Sequence, residues 1–378
     1  MLNQQDILDV AAKYGSKITI GVLGGHSALD ICHGATKLGF DTVVVCQKGR
    51  EKTYEKYYRR RGEGANAKGC VGNVIIVDKF EDIVKESVQK ELRDLNTVFI
   101  HNRYFWVYCD FEKIENDFRV PIFGLRKGVK LEERDVENNQ YYILGKAGIR
   151  MPKIYASPAD IDRLVIVKVN EATRNYERAF FFANSEASYF EEGNKRVTNG
   201  QITAEALSKA VIEEYIVGAH VNLNFFYSPL SDEVELMGTD TRRQTNLDGF
   251  LRLTAKEQEL VREYVEPKII ETGHYAVTMK ESLVEKALEL GERFVATMKK
   301  ENAPGMIGPF ALQGAVVAEE GREEFVIFDV SMRIPGSPGT KFTPYSGYLY
   351  GESLSYGERI AMEIKQAIKE KRLAELLT

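Results

Sequence analysis

The spacing of apolar and polar residues gives the first part of the chain an alternating pattern of strands and helices. ITIGVL (18–23) is an apolar run typical of a buried strand, and SALDICHGATKL (27–38) has helical spacing. Gly39 follows where a helix C-cap is expected, and DTVVVC (41–46) is typical of a second buried strand. The pattern continues through NVIIVD, FEDIVKESVQKELRDL and TVFIHN. It predicts that residues 1–125 form a doubly wound open parallel sheet, which binds ligands at the carboxyl ends of its strands.

After about residue 150 the pattern changes to strands that follow one another directly. The successive pairs are RLVIVKV with RAFFFAN, IEEYIVGAHVNLNFFY with EVELMGT, and FALQGAVVAEE with EEFVIFDVSMRI. A polar turn between the members of each pair predicts antiparallel pairing. Helical stretches at about 281–300 and 355–376 flank the last pair. The predicted fold class is therefore α/β for the first part and α+β for the rest.

Composition limits the class of protein and of ligand. A chain of 378 residues is too long for one ordinary core, and 44% hydrophobic with 28% charged residues is typical of a globular protein. The 51 Lys and Arg nearly balance the 56 Asp and Glu, so no overall field favours nucleic acid or an anionic membrane. The four cysteines form no CxxC pair, and no run of about 18 apolar residues occurs. We expect a cytoplasmic protein that binds small molecules, with neither a membrane nor a nucleic acid as partner.

Two stretches contain candidate nucleotide-binding residues. Lys168 ends the apolar run VIVK, where its ammonium could reach phosphate oxygens. In IEEYIVG, Glu213 or Glu214 could accept a hydrogen bond from a ribose hydroxyl, and the backbone around Tyr215 and Ile216 could bind an adenine edge. Taken alone, a solvated lysine and an edge-strand carboxylate are the simpler interpretations.

A third candidate lies in the last strand pair, where Gln313 and Asp329 are predicted to align on neighbouring strands. Two such oxygen donors suit a magnesium ion that also binds phosphates, and a buried hydrogen bond between the two side chains is the alternative. The order of lysine, acidic segment and paired oxygen donors behind an open α/β domain resembles the ATP-grasp ligases. Those enzymes use ATP to phosphorylate a carboxylate, and an amine or similar nucleophile then attacks the acyl phosphate.

The chain more closely resembles the archaeal 5-formaminoimidazole-4-carboxamide ribonucleotide synthetase family. The resemblance spans nearly the whole chain and rests on GGHSALDI, VPIFGLR, EEYIVGAHVN, FFYSPLSDEVELMGTD, GMIGPFALQ and SYGERIAMEIKQA. It implies an N-terminal ribotide-binding domain (1–125) and a two-lobed ATP-grasp fold, with a small lobe and linker helix (126–218) and a large lobe (219–378). It also implies ligation of formate to the 5-amino group of AICAR (5-aminoimidazole-4-carboxamide) ribonucleotide, with ATP giving ADP and phosphate. A homo-oligomer is expected.

The resemblance also implies roles for particular residues, none of them a side-chain nucleophile. The expected purine-ribotide contacts are His26, Ser27, Tyr104, Arg126 and Asn246. The expected ATP contacts are Lys168, Arg174, Glu213, Glu214, Tyr215 and Ile216. Magnesium or manganese is expected at Gln313 and Asp329, where Asp329 replaces the family's glutamate.

Several ligand-binding motifs depart from the family pattern. A glycine-rich loop of the form FPGARGGRGYF is replaced by VNEATRNYERAFFF, in which Arg174 and Arg178 could bind phosphate by side chain. PHGSF becomes IHNRYF, which places Tyr104 where a serine is expected, and GGTN becomes PGSPGTK. These changes leave open another carboxylate or ribotide, or a non-catalytic regulatory paralogue that only binds nucleotide or ribotide. The basic stretch 48–61 is interpreted as a solvated face, or as a loop over the active site or at a subunit contact.

Overall fold

The computed structural model describes residues 2–15, 17–62, 64–134, 136–169, 180–265, 271–319, 321–336 and 338–378. They form three sheets, and each of the ranges 1–125, 126–218 and 219–378 contains one of them. Both the parallel and the antiparallel regions expected from the sequence are present, so the predicted fold class is confirmed. Within the described residues, no helix is long and apolar enough to cross a membrane.

The N-terminal sheet is parallel and has the order β3-β2-β1-β4-β5. Its strands are β1 (Thr19–Leu23), β2 (Asp41–Gln47), β3 (Asn73–Val77), β4 (Thr97–Ile100) and β5 (Ile122–Phe123). The chain leaves β1 toward β2 on one side and returns to β4 on the other, so the strand order reverses between β1 and β4. In an open parallel sheet this reversal opens a crevice at the carboxyl ends of the two strands.

Helices connect these strands largely as predicted. They are α1 (Gln4–Ala11), α2 (Ala28–Lys37), α3 (Glu86–Asp94), α4 (Arg103–Tyr108) and α5 (Phe111–Asn116). Gly39 follows α2 with φ +90°, in the left-handed region that favours glycine. The expected helix over FEDIVKESVQKELRDL is divided into a 3-10 turn, Phe80–Val84, and α3. The basic stretch 48–61 is largely exposed and contains one π-helical turn, Thr53–Tyr57.

The second sheet has four strands in the order β6-β9-β7-β8, with antiparallel pairing throughout. Its strands are β6 (Ile154–Tyr155), β7 (Val165–Lys168), β8 (Phe180–Ala183) and β9 (Val211–Glu214), and its helices are α6 (Gln140–Lys146), α7 (Glu186–Thr198) and α8 (Ala204–Ser208). The connection from β7 to β8, residues 170–179, lies outside the described part of the chain. The expected phosphate contact Arg174 therefore has no described position.

The third sheet is antiparallel and has the order β12-β11-β10-β13-β14. Its strands are β10 (Ala219–Ser228), β11 (Glu233–Gln244), β12 (Glu271–Val277), β13 (Gly308–Glu319) and β14 (Arg322–Ser331), and its helices are α9 (Thr245–Leu251), α10 (Ala255–Arg262), α11 (Glu281–Glu301), α12 (Tyr345–Tyr350) and α13 (Tyr356–Glu370). The sequence predicts one strand over the run IEEYIVGAHVNLNFFY. The structure instead divides it into β9 and β10, which belong to two different sheets. Residues 215–218 therefore join the two lobes.

The C-terminal segment packs against the N-terminal sheet rather than only against the large sheet. One hydrophobic core combines β1 and α2 residues with Tyr356, Ile360 and Ile364 of α13. The last residue extends the parallel sheet, since Ile122 and Thr378 exchange backbone hydrogen bonds of 3.1 and 2.9 Å. This packing fixes the crevice after β1 and β4 above the face of the large sheet.

Candidate active site

A cleft lies where the three sheets meet. One face of the large sheet forms its floor, and its walls come from the loops after β1 and β4, from residues 132–134 and from the facing ends of β7 and β8. Its charged lining residues are Arg103, Arg134, Arg242 and Arg333 together with Glu132, Glu133, Asp240 and Asp329. Four guanidinium groups make this a cleft suited to phosphates and carboxylates.

The floor follows directly from the two-residue period of the strands. On β10, Asn222 and Asn224 face the cleft, whereas Val221 and Leu223 are buried in the core beneath it. Residues paired across neighbouring strands lie on the same face of a sheet. Asn222 pairs with Asp240 on β11 and with Gln313 on β13, so these side chains face the cleft as well. Polar side chains from all five strands are thereby brought onto one surface.

Lys168 is buried in an ion pair at the junction of the two lobes. It is 6% exposed, its ammonium pairs with Glu213 of β9, and Nζ donates to the Phe328 carbonyl at 3.2 Å. Burial lowers the pKa of Lys168, and the negative charge of Glu213 opposes that effect. The hydroxyl of Tyr141 donates to the second carboxylate oxygen of Glu213 at 2.9 Å. The interpretation of Lys168 as a solvated strand-end lysine is therefore wrong.

The two adjacent glutamates of β9 point in opposite directions. Glu213 faces Lys168, whereas Glu214 faces away, with its carboxylate paired to Arg163 at 3.0 Å. Of the two expected ATP contacts on β9, Glu213 is thus the one that lies beside Lys168. Tyr215 and Ile216 follow in the connection between the lobes, and neither lines the cleft. The backbone N–H of Tyr215 is engaged with the Leu164 carbonyl at 3.1 Å.

Gln313 and Asp329 are paired in register on β13 and β14, which confirms their predicted alignment. Both line the cleft, but they are not hydrogen-bonded to each other as the alternative interpretation required. Gln313 donates to the Ser331 hydroxyl at 3.1 Å and accepts from Arg242 through Oε1. Asp329 forms an ion pair with Arg134 at 3.3 Å.

These two residues fit a divalent metal only as part of a larger ligand set. An amide and a carboxylate oxygen on neighbouring strands are hard donors of the kind that magnesium binds. Among the described residues, however, no group of three or more His, Cys, Asp or Glu side chains is arranged to hold a metal ion. Phosphate oxygens and water would have to complete the coordination. The guanidinium of Arg242 contacts the Gln313 oxygen, and that of Arg134 contacts an Asp329 oxygen. Both would compete with a metal ion for these oxygens.

The turn after β1 is held in place by hydrogen bonds to two other segments of the chain. Asn102 donates to the carbonyls of Leu23 and His26 at 2.9 and 2.8 Å, and the Ser27 hydroxyl donates to the Pro335 carbonyl at 2.9 Å. The His26 ring lies in the cleft against Gly336, where a Cβ atom would overlap the ring. His26 and Ser27 thus join the N-terminal domain to the segment that follows β14.

Tyr104 forms a wall behind this turn without lining the cleft itself. Its ring covers Gly25, where a side chain would overlap it, and its centroid lies 6.4 Å from that of His26. His101, at the start of the same loop, is 3% exposed and accepts from the Trp106 indole at 2.8 Å. Burial and the nearby positive charges of Arg333 and Arg126 lower the pKa of His101 to about 3, so its ring is neutral.

Besides Tyr104, two more of the expected ribotide contacts do not line the cleft. Arg126 is buried, and its guanidinium donates to four backbone carbonyls, those of Ile114, Phe118, Val120 and Thr378. Its assignment as a substrate contact is therefore wrong, and it instead ties the C-terminus to the N-terminal domain. Asn246 lies in α9 and does not line the cleft.

The cleft residues that the sequence did not predict are mainly charged groups. Arg333 and Glu132 form a buried pair at 3.3 Å, and Glu132 also accepts from the Met332 backbone at 2.6 Å. Burial raises the pKa of Glu132 and lowers that of Arg333. Among the described residues, no hydrogen-bond partner is present for Arg333 Nε. The strand period could have revealed Asp240 and Arg242, but no local pattern distinguishes Arg103 or Arg134.

Comparisons with known proteins agree with this architecture. Two families match, a protein of unknown function (DUF1246) over residues 20–155 and a domain of unknown function (DUF1297) over residues 188–378. A 5-formaminoimidazole-4-carboxamide-1-(beta)-D-ribofuranosyl 5'-monophosphate synthetase from Methanothermobacter thermautotrophicus is 39% identical over 381 residues, which cover 100% of this chain and 99% of the relative. The protein of the same name from Methanocaldococcus jannaschii is also 39% identical and covers 98% of each chain.

Two solved structures show the same fold. An IMP biosynthesis protein PurP from Thermococcus kodakaraensis has a TM-score of 0.68 at 26% identity, covering 95% of this chain and 100% of its own. An N5-carboxyaminoimidazole synthase from Aspergillus clavatus, in complex with ADP and 5-aminoimidazole ribonucleotide, has a TM-score of 0.52 at 16% identity, covering 85% and 71%. The fold and the cleft between its lobes define an ATP-grasp protein. The chain belongs to the 5-formaminoimidazole-4-carboxamide-1-(beta)-D-ribofuranosyl 5'-monophosphate synthetase family.

Proposed function

We propose that this protein is an ATP-dependent ligase that joins formate to the 5-amino group of AICAR ribonucleotide. Formate attacks the γ-phosphorus of ATP, which gives formyl phosphate and ADP. The ribotide amine then attacks the formyl carbon, the carbon–oxygen bond to phosphate breaks, and the amine loses a proton. The observation that carries the proposal is one cleft lined by His26, Gln313 and Asp329, with the buried Lys168–Glu213 ion pair beside it: Val169, the residue after Lys168, lines the same cleft.

Each part of the cleft then has a role in the proposed reaction. Lys168 and Glu213 bind the nucleotide where the two lobes join, with Lys168 placed to neutralise phosphate. Arg242 and Arg333 stabilise charge on the transferring phosphoryl group and the carboxylate. His26, at the carboxyl end of β1, contacts the ribotide. Ser27 and Tyr104 hold the turn from behind.

Gln313 and Asp329 would hold magnesium, which when bound neutralises phosphate charge during phosphoryl transfer. Their strand register supports this role, because it aligns them on β13 and β14, and it also sets them beside Arg134 and Arg242. With phosphates bound, those two guanidinium groups can move from the protein oxygens to phosphate oxygens. Charge balance in the cleft is then maintained as the nucleotide enters.

The proposal is tested by measuring ADP release with magnesium-ATP while formate and AICAR ribonucleotide are added separately and together. Formation of formyl-AICAR ribonucleotide with one ADP per product supports the assignment. ADP release with another carboxylate or another ribotide would identify a different ligase of the same type. Ligand-dependent thermal stabilisation without ADP release would instead support the non-catalytic regulatory paralogue.

Removing either proposed metal ligand should weaken binding of magnesium-ATP without unfolding the protein. We expect Asp329→Ala and Gln313→Ala to lose most of the thermal stabilisation that magnesium-ATP gives the wild-type chain, because the remaining oxygen cannot hold the ion alone. Thermal unfolding with and without magnesium-ATP measures this. A shift of wild-type size in both variants would contradict the metal assignment.

Replacing His26 should weaken ribotide binding selectively. We expect His26→Ala to cost about 1–3 kcal/mol in ribotide affinity, since a hydrogen bond to a charged group is lost and its partner stays unsatisfied. ATP affinity should hardly change, because His26 follows β1 of the parallel sheet whereas Lys168 belongs to the four-stranded sheet. Calorimetry with each ligand separately distinguishes the two sites. An equal loss for both ligands, or for neither, would return His26 to a merely structural role.

A further inference from the structure

A carboxylate–imidazole pair with no role assigned so far lies on the floor of the cleft, where His274 pairs across the strands with Arg242. Asp240 of β11 is 1% exposed, and its Oδ2 is paired with Nδ1 of His274 on β12. Asn224 of β10 donates to Oδ1 of the same carboxylate at 3.1 Å. Both oxygens of Asp240 are therefore engaged, and the carboxylate is held in one orientation.

This arrangement fixes how the His274 ring is presented to the cleft. A carboxylate at Nδ1 favours the tautomer with the proton on Nδ1, which leaves Nε2 as the nitrogen that can accept a proton. The imidazole lines the cleft together with Asn224 and Asp240. Asp240 additionally stabilises the imidazolium that forms when Nε2 is protonated. These are the properties of a general base oriented by a buried carboxylate.

The pair lies at the opposite end of the sheet from the lobe junction. The strand order places β12 three positions from β13, and neighbouring strands are about 4.8 Å apart, so the backbones of His274 and Gln313 are separated by roughly 14 Å. The His274 side of the floor is thus distinct from the Gln313–Asp329 side, and Arg242 of β11 lies between them. A phosphorylated intermediate held near Gln313 can meet an acceptor amine that approaches from the side of His274.

The proposed reaction requires one proton transfer for which no residue has been assigned above. When the amine nitrogen forms its bond to the formyl carbon it becomes positively charged, and it must lose a proton as the bond to phosphate breaks. The arginines of the cleft are already fully protonated and cannot accept it. Lys168 is committed to its buried ion pair with Glu213 at the lobe junction.

We propose that His274, oriented by Asp240, is the general base that takes the proton from the attacking ribotide amine at Nε2. Asp240 is a positioning residue, because it acts only through the imidazole. The step balances: the nitrogen–carbon bond forms, the carbon–oxygen bond to phosphate breaks, inorganic phosphate leaves, and the proton moves to His274. This role rests on the proposed formate ligase function.

The test separates formation of the acyl phosphate from attack by the amine. His274→Asn keeps an N–H that can donate to Asp240 but removes the basic nitrogen. ADP release is measured with ATP and formate, once with AICAR ribonucleotide and once with hydroxylamine, a strong nucleophile that traps formyl phosphate as formohydroxamate. His33→Asn, at an exposed position of α2, is the matched control.

We expect His274→Asn to lower the rate of ribotide formylation at least about 100-fold, the usual contribution of a general base, while ADP release with hydroxylamine stays within about twofold of wild type. His33→Asn should retain both rates. Unchanged ribotide formylation in His274→Asn, or an equal loss with both nucleophiles, would overturn the role of His274 alone. Absence of ADP release by the wild-type chain with either nucleophile would overturn the ligase function itself, and this role with it.

Discussion

Lys168→Met is expected to abolish nucleotide binding and to lower the free energy of unfolding by about 3–5 kcal/mol. Glu213 is 1% exposed, and its carboxylate forms an ion pair with the ammonium of Lys168. Removal of one partner of a buried ion pair leaves an uncompensated charge in a medium of low dielectric, which is far more costly than loss of a surface pair. Denaturant unfolding measures the loss of unfolding free energy, and thermal shift with magnesium-ATP measures the loss of nucleotide binding.

The double variant Lys168→Met with Glu213→Gln is the control for that experiment. It removes both charges, and the glutamine can still accept a hydrogen bond from Tyr141. We expect it to recover most of the lost unfolding free energy but none of the nucleotide binding. If Lys168→Met unfolds at the wild-type denaturant concentration, the pair does not stabilise the lobe junction, and the cost assigned to an unpaired Glu213 is wrong.

The parallel sheet could be predicted because its signals are local. Each strand is a short apolar run, each helix has its own spacing, and Gly39 marks the end of α2 at the expected place. The division between β9 and β10 could not be predicted in this way. Both strands lie within one continuous run, and only the packing of the four-stranded sheet against the large sheet determines that residues 215–218 cross between them.

The candidate site shows the same contrast between local and distant signals. Gln313 and Asp329 could be aligned from the sequence because a hairpin relates them, with nine paired positions recorded between β13 and β14. Arg134 reaches Asp329 from a segment 195 residues away in the chain, so no spacing could indicate it. The resemblance to the family predicts that Arg126 contacts substrate. A matching residue in a motif does not show which way its side chain points, and the Arg126 guanidinium binds four backbone carbonyls instead.

The alternation of side chains along β9 explains why Glu213, and not Glu214, contacts Lys168. Neighbouring residues of a strand face opposite sides, so only one of Glu213 and Glu214 can contact Lys168. The choice depends on the antiparallel register of β7 with β9, in which Lys168 pairs with Val211 and Ile166 with Glu213. That register is set by the sheet as a whole, and the sequence of either strand alone does not contain it.

The contact between α2 and α13 decides how the N-terminal domain and the C-terminal segment are held together. The two helices cross at Gly34 and Gly357, where their backbones touch, and the Gly357 N–H donates to Asp30 at 3.0 Å. A Cβ atom on Gly34 would overlap the backbone of Gly357, which cannot rotate away as a side chain can. Glycine is therefore required here by the close approach of two backbones and not by its own φ.

Gly34→Ala is accordingly expected to lower the free energy of unfolding by about 3 kcal/mol, at the upper end of the range for an overpacked contact, because α13 must move away from the core that it covers. The matched control is Gly249→Ala, at an exposed glycine of α9 with no atom near the added methyl group. That change should raise the unfolding free energy by about 0.5–1 kcal/mol through helix propensity. Denaturant unfolding of both variants measures the contrast. Similar small effects in the two would show that α2 and α13 do not approach as closely as their glycines indicate.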